Sequence, residues 1–91
     1  MITAIVFVEA EVARIPEIAQ EIADLDGVSE VYSVTGKVDL IALVRVPTVD
    51  AVAATVAEKL NRVAGVLSTE THIAFQAYSK LDLEAAFSIG G

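Results

Sequence analysis

Val31-Tyr32-Ser33-Val34-Thr35-Gly36-Lys37-Val38-Asp39-Leu40-Ile41-Ala42-Leu43-Val44-Arg45-Val46 is the stretch whose reading decides the fold. It reads as two β-strands joined by a tight turn at Gly36-Lys37, the first mixed in polarity and the second almost continuously apolar. Glycine supplies the positive φ of a short hairpin turn at no steric cost. Asp39 stands at the threshold of the apolar strand. On the residues alone it is either an exposed strand-start residue or an acceptor for a bound group.

Before the hairpin, Ile2 to Val8 is apolar on both alternations, as a strand buried on two sides would be, and Glu9-Ala10-Glu11 ends it. Ile15, Ile18, Ala19, Ile22 and Leu25 then recur at helical spacing, with Pro16 and Glu17 suited to the first turn and Asp26-Gly27 to the close. Val28 to Thr35 is the second strand and Asp39 to Val46 the third; Pro47 stops the pairing. Thr48 is placed to N-cap a second amphipathic helix carrying Val52, Ala53, Val56, Leu60 and Val63, with Asp50 at its start and Lys59 and Arg62 at its end. Ala64-Gly65 closes that helix, and Val66 to Tyr78 reads as a long last strand. One of its faces carries Leu67, Thr69, Thr71, Ile73 and Phe75, the other Val66, Ser68, Glu70, His72 and Ala74. Residues 1–80 form the expected domain. Residues 81–91 form a tail in which Leu83 and Phe87 pair on two helical turns before a frayed end.

Each half of the chain runs strand, helix, Gly-Val, strand, with Gly27-Val28 echoed by Gly65-Val66. The fold class is therefore α+β, a ferredoxin-like βαββαβ unit whose right-handed crossovers place both helices on one face of a four-stranded antiparallel sheet. The other face is bare. Strands one and three are apolar on both alternations, so either Ala4/Val6/Val8 or Ile5/Phe7, and either Leu40/Ala42/Val44 or Ile41/Leu43, would meet water in a monomer. A sheet-to-sheet dimer is expected, burying apolar surface worth about 10 kcal/mol or more before the costs of association.

Composition agrees. The chain has 91 residues, 55% of them hydrophobic, more than a small soluble monomer needs. No run approaches the roughly 18 apolar residues of a spanning helix, and Ile2–Val8 lacks the basic flank of a signal peptide. A cytoplasmic, membrane-free protein is expected. The chain contains no cysteine and a single histidine, His72, which leaves no thiolate chemistry and little basis for a metal site or a Ser-His-Asp triad. A net charge of −7, with six scattered basic residues, argues against direct contact with nucleic acid. No cofactor motif is present.

Val28-Ser29-Glu30-Val31-Tyr32-Ser33-Val34-Thr35-Gly36-Lys37-Val38-Asp39-Leu40, followed one helix later by Gly65-Val66-Leu67-Ser68-Thr69-Glu70-Thr71-His72-Ile73, resembles the effector-binding (RAM) domain of Lrp/AsnC-type transcriptional regulators. The resemblance covers residues 2–80 and rests on Thr-Gly-x-x-Asp after a Val-rich strand and Gly-Val-x-x-Thr-x-Thr opening the last strand. It implies dimers through the sheet faces, assemblies of dimers up to octamers or decamers, and amino-acid effectors bound where dimers meet. The family's N-terminal helix-turn-helix has no counterpart here, so the chain is similar to a stand-alone form acting through a partner such as a full-length Lrp/AsnC-type regulator. Carried residue by residue, the resemblance implies a site lined by Thr35, Gly36, Lys37, Val38 and Asp39, with Ser68, Thr69 and Thr71 from a neighbouring dimer. Such a site offers backbone and hydroxyl donors to a carboxylate and Asp39 to an ammonium.

Each residue also has a plainer reading. Gly36-Lys37 serves as a turn with Lys37 a solvated charge, and Thr69 and Thr71 serve as β-formers. His72 reads as an interface histidine beside Glu70. Two functional alternatives follow: a small dimeric α+β barrel enzyme using His72 and Asp39, or a purely structural oligomerisation module.

Overall fold

The computed structural model describes residues 1–80. Strands β1 (Ile2–Ala10), β2 (Val28–Ser33), β3 (Leu40–Val46) and β4 (Val66–Ala74) form one antiparallel sheet in the order β2-β3-β1-β4. A 3-10 turn, Val12–Arg14, leads into α1 (Ile15–Ala23), which has a proline in its first turn. Helix α2 (Val49–Ala53) is N-capped as expected, the Thr48 hydroxyl accepting from Ala51 N at 3.1 Å. The expected regular helix is not kept to its end. After α2 the chain widens into a π-helix, Ala54–Lys59, and tightens into a 3-10 turn, Leu60–Arg62, keeping Val52, Thr55, Val56 and Leu60 all buried.

The sheet resolves the ambiguity of the doubly apolar strands. Ala4, Val6, Val8 and Ala10 of β1, with Leu40, Ala42, Val44 and Val46 of β3, are buried under Ile18, Ile22, Val52, Val56 and Leu60 of the helical layer. Ile5, Phe7, Ile41 and Leu43 therefore occupy the opposite face, only partly covered. These medium and large side chains form the bare face.

The internal repeat appears as a reciprocal lock. Gly27 and Gly65 both have positive φ, +94° and +96°, in turns closed by Val28 N to Leu25 O and by Val66 N to Val63 O, each 3.1 Å. The Gly27 carbonyl accepts from Arg45 N at 2.8 Å, at the end of β3, and the Gly65 carbonyl accepts from Glu11 N at 2.9 Å, just past β1. A Cβ on Gly27 would meet Thr55 and Val46, and one on Gly65 would run into Ile18 of α1. Each glycine thus lets its own half approach the helix of the other.

Three boundaries differ from the sequence expectation. β2 ends at Ser33 and β3 begins at Leu40, because the last ladder rung is Ser33 with Leu40 and the intervening segment leaves the sheet. The connection is thus a longer loop, closed by Val34 N donating to Asp39 O at 3.1 Å, rather than a tight turn at Gly36-Lys37. β4 stops at Ala74, not Tyr78, because it pairs with β1, whose Thr3 already stands opposite Ala74. The expected tail helix lies outside the described residues.

Gly65→Ala should destabilise the fold by about 2–4 kcal/mol, combining left-handed backbone strain with overpacking against Ile18. Urea unfolding of the variant measures it; an unchanged midpoint would mean that the Gly65–Ile18 approach is not tight.

Candidate functional site

Register builds the open face in rows. Tyr32, Ile41, Phe7 and Glu70 lie side by side across the sheet, and Glu30, Leu43, Ile5 and His72 form the next row. The apolar quartet is central, flanked by polar pairs on the two edge strands. On β2 the Tyr32 hydroxyl donates to Glu30 Oε2 at 2.7 Å, and the carboxylate that holds this proton raises the phenol's pKa above its ordinary value. On β4, His72 Nε2 lies 3.0 Å from Glu70 Oε2, and the imidazole stands edge-on to Phe7 with ring centroids 5.2 Å apart.

At the hairpin end of this face the loop between β2 and β3 borders a hollow of about 820 Å³, within the usual range of small-ligand pockets. Its floor is Ile5, Phe7 and Ile41; Val34, Thr35, Lys37 and Val38 line the loop side, and Glu70 and His72 the β4 side. A smaller cleft of about 250 Å³ shares Phe7, Val38 and Glu70 with the hollow and adds Glu9, Ser68 and Thr69. Gly36, with φ +115° and nothing within 4 Å of where a Cβ would stand, leaves the loop's backbone open to approach.

The residues expected from sequence divide three ways. Thr35, Lys37 and Val38 line the hollow, and Ser68 borders the adjoining cleft. Thr69 and Thr71 pair with Val8 and Val6, whose side chains are buried beneath the helices, so they lie on the helix side of β4, although Thr69 also reaches the border of the cleft. Thr69 donates its hydroxyl to Asn61 Oδ1 at 2.7 Å, and Thr71 lines a shallow apolar groove of about 270 Å³ beside α2 with Val52, Val56 and Ile73.

Asp39 is committed to the fold. Its Oδ2 accepts from Ala10 N at 2.9 Å, while its own N–H donates to Val8 O at 3.0 Å. The carboxylate therefore ties the hairpin to the end of β1. The carboxylate beside the glycine turn meets a backbone amide 29 residues away in the chain. Sequence reasoning missed Ile5, Phe7, Ile41 and Glu70 as lining residues. Only their shared alternation hinted at them, and it becomes specific once the register is known.

The molecule is an α+β sheet with one helical layer and an apolar hollow on its open face. The chain belongs to the Lrp/AsnC ligand binding domain family, whose pattern matches residues 3–82. An uncharacterized HTH-type transcriptional regulator of Pyrococcus furiosus is 39% identical over 59 residues, covering 65% of this chain and 39% of that protein. The chain thus spans well under half the length of that relative. The crystal structure of TTHA0845 from Thermus thermophilus superposes with a TM-score of 0.82 at 42% identity, covering 88% of this chain and all of the other. A transcriptional regulator of Neisseria meningitidis, solved as an L-Met complex, superposes with a TM-score of 0.76 at 18% identity, over 86% of this chain and 52% of that one.

These relatives set the enzyme alternative aside, since the family is one of ligand-binding domains of transcriptional regulators. His72 does line the hollow, but it is paired with Glu70 and packed against Phe7. Among the described residues no helix is long and apolar enough to cross a membrane.

Asp39→Ala should cost about 1–3 kcal/mol, the penalty for leaving the buried Ala10 amide without an acceptor, whereas Asp39→Asn keeps an oxygen there and should cost less. Denaturant titration of the two variants checks the order. Equal losses would assign the effect to the lost charge instead.

Proposed function

We propose that this chain is the sensing module of a regulatory assembly, taking a free amino acid as effector at the hairpin end of its open sheet face. The observation that carries the reading is the hollow beside the glycine loop. It combines an apolar floor, an accessible backbone, a hydroxyl at Thr35 and charges of both signs at Lys37 and Glu70, in a member of the Lrp/AsnC ligand-binding family. The Neisseria protein of the same fold supports it, being an L-Met complex.

A second copy laid on Ile5, Phe7, Ile41 and Leu43 would cover the open face and roof the hollow. Assemblies of such dimers, octamers or decamers, would bring Ser68, Thr69 and Thr71 of one dimer towards the loop of another. The Asp39 carboxylate then acts on the site through the loop it anchors, with its remaining oxygen able to face an effector ammonium. Ligand occupancy shifts the balance between assemblies only by its differential affinity for them. The output passes to transcription through a DNA-binding partner, of which a full-length Lrp/AsnC-type regulator is the natural type, a reading supported by the chain's net charge of −7.

An effector present at a hundred times its Kd should stabilise the protein by about 2.7 kcal/mol. A thermal-denaturation screen of the common amino acids, paired with light scattering, should therefore give a raised Tm and a changed assembly mass for at least one. A flat response throughout would leave the structural oligomerisation module as the better account.

A further inference from the structure

We propose that residues 81–91 fold back on their own subunit as a third helical piece, seated in the apolar groove between α2 and β4. The groove is where the helical layer stops short. α1 packs mainly over β2, and α2 over β3 and β1, whereas the cover of β4 comes chiefly from the 3-10 turn Leu60–Arg62. Ile73 of β4 pairs with Ala4, which is fully buried beneath the helices, yet Ile73 itself is 36% exposed. Phe75, which continues the alternation of Thr71 and Ile73 past the end of the strand, is wholly exposed.

The groove has the size and lining of a seat for side chains. Val52 and Val56 are its buried members, and Val49, Ala53 and Ala57 of the same helical stretch border it with Ile73. Its volume of about 270 Å³ lies just below the range of small-ligand pockets. The lining positions on the helical stretch recur over two turns, and the exposed Ala53 and Ala57 leave room for a second helix to approach closely. Val49 stands 57% exposed at its margin, an apolar side chain without cover.

The chain itself supplies the occupant. Ile73 is the last residue but one of β4, so the chain leaves the sheet at the border of the groove. Residues 75–80 then make a connection of the length usual between a strand and a helix. In Leu81-Asp82-Leu83-Glu84-Ala85-Ala86-Phe87, the residues Leu83, Ala86 and Phe87 fall on one helical stripe, and no glycine or proline intervenes before Gly90. A helix of two turns does not hold in water by itself and forms against an apolar partner. The segment lacks a seat and the groove lacks a cover, and the connection joins them within one chain. The Lrp/AsnC pattern ends at residue 82, so the contact involves a part of the chain that the family pattern does not describe. It is independent of where an effector binds.

Cross-linking of the whole protein tests this, because the chain contains no cysteine of its own. With Ala53→Cys and Ala86→Cys as the only thiols, a short bismaleimide should join the two positions within one chain, giving a product of monomer mass. Ala86→Cys paired with Ser29→Cys, on the opposite edge strand β2, should give far less of it. Thermal unfolding supplies a second reading. Leu83→Asp with Phe87→Asp should lower the Tm by about 4–8 °C. Ala53→Glu, a change at an exposed helical position, should lower the Tm of the parent but add little to that of the double variant, since both remove the same contact. A covalent dimer in place of the single-chain product would give the groove to a neighbour's segment and overturn the proposal. Equal yields at Ala53→Cys and Ser29→Cys, no cross-link at all, or a Tm indifferent to the two aspartate substitutions would overturn it as well.

Discussion

β1 and β3 are apolar on both of their faces, and the two helical segments can cover only one. Everything else in the molecule follows from how that mismatch is settled. The helix-facing set, Ala4, Val6, Val8 and Ala10 with Leu40, Ala42, Val44 and Val46, is almost completely withdrawn from water and forms the continuous core with Ile18, Ile22, Val52, Val56 and Leu60. The set that remains, Ile5, Phe7, Ile41 and Leu43, is too apolar to be ordinary surface and is only partly covered among the described residues. The floor of the candidate site is made of this leftover face. Under the proposed function, ligand binding and self-association would draw on the same apolar area.

The loop that borders the hollow is held by backbone as much as by side chains. Val34 N and Asp39 O close it, Asp39 N reaches β1, and the Asp39 carboxylate takes the Ala10 amide just beyond the point where the β1–β3 ladder ends. These bonds set the loop's feet on the two central strands and leave its tip at Gly36 unencumbered. A loop anchored in this way can present lysine and amide donors without disturbing the sheet beneath it.

Much of this was legible in the residues. Period-two and helical spacings located the strands and helices, Thr48 announced its cap, and the repeated Gly-Val pointed to two equivalent halves. The side of the sheet that the helices choose was not legible, because Ala4/Val6/Val8 and Ile5/Phe7 are equally apolar and only packing distinguishes them. Strand ends were misplaced where a neighbour runs out, as at Ala74, since pairing depends on a partner distant in sequence. The same limit governed the site. Thr35, Lys37 and Val38 were implied by the family resemblance around the glycine turn, whereas Glu70 enters through the β1–β4 register, and the partner of Asp39 through a contact between distant segments.

The strand order carries one more consequence, for how the chain is made. β1, the earliest strand, sits between β3 and β4, and its Thr3 is paired with Ala74 near the other end of the described residues. During synthesis this apolar strand must wait for β3 to pair one edge, and its other edge stays open until β4 has left the ribosome. Pairings this distant in sequence slow folding and prolong exposure of sticky edges. Glu9 and Glu11, which bracket the end of β1, place charge beside that strand during the wait, as gatekeepers against premature association.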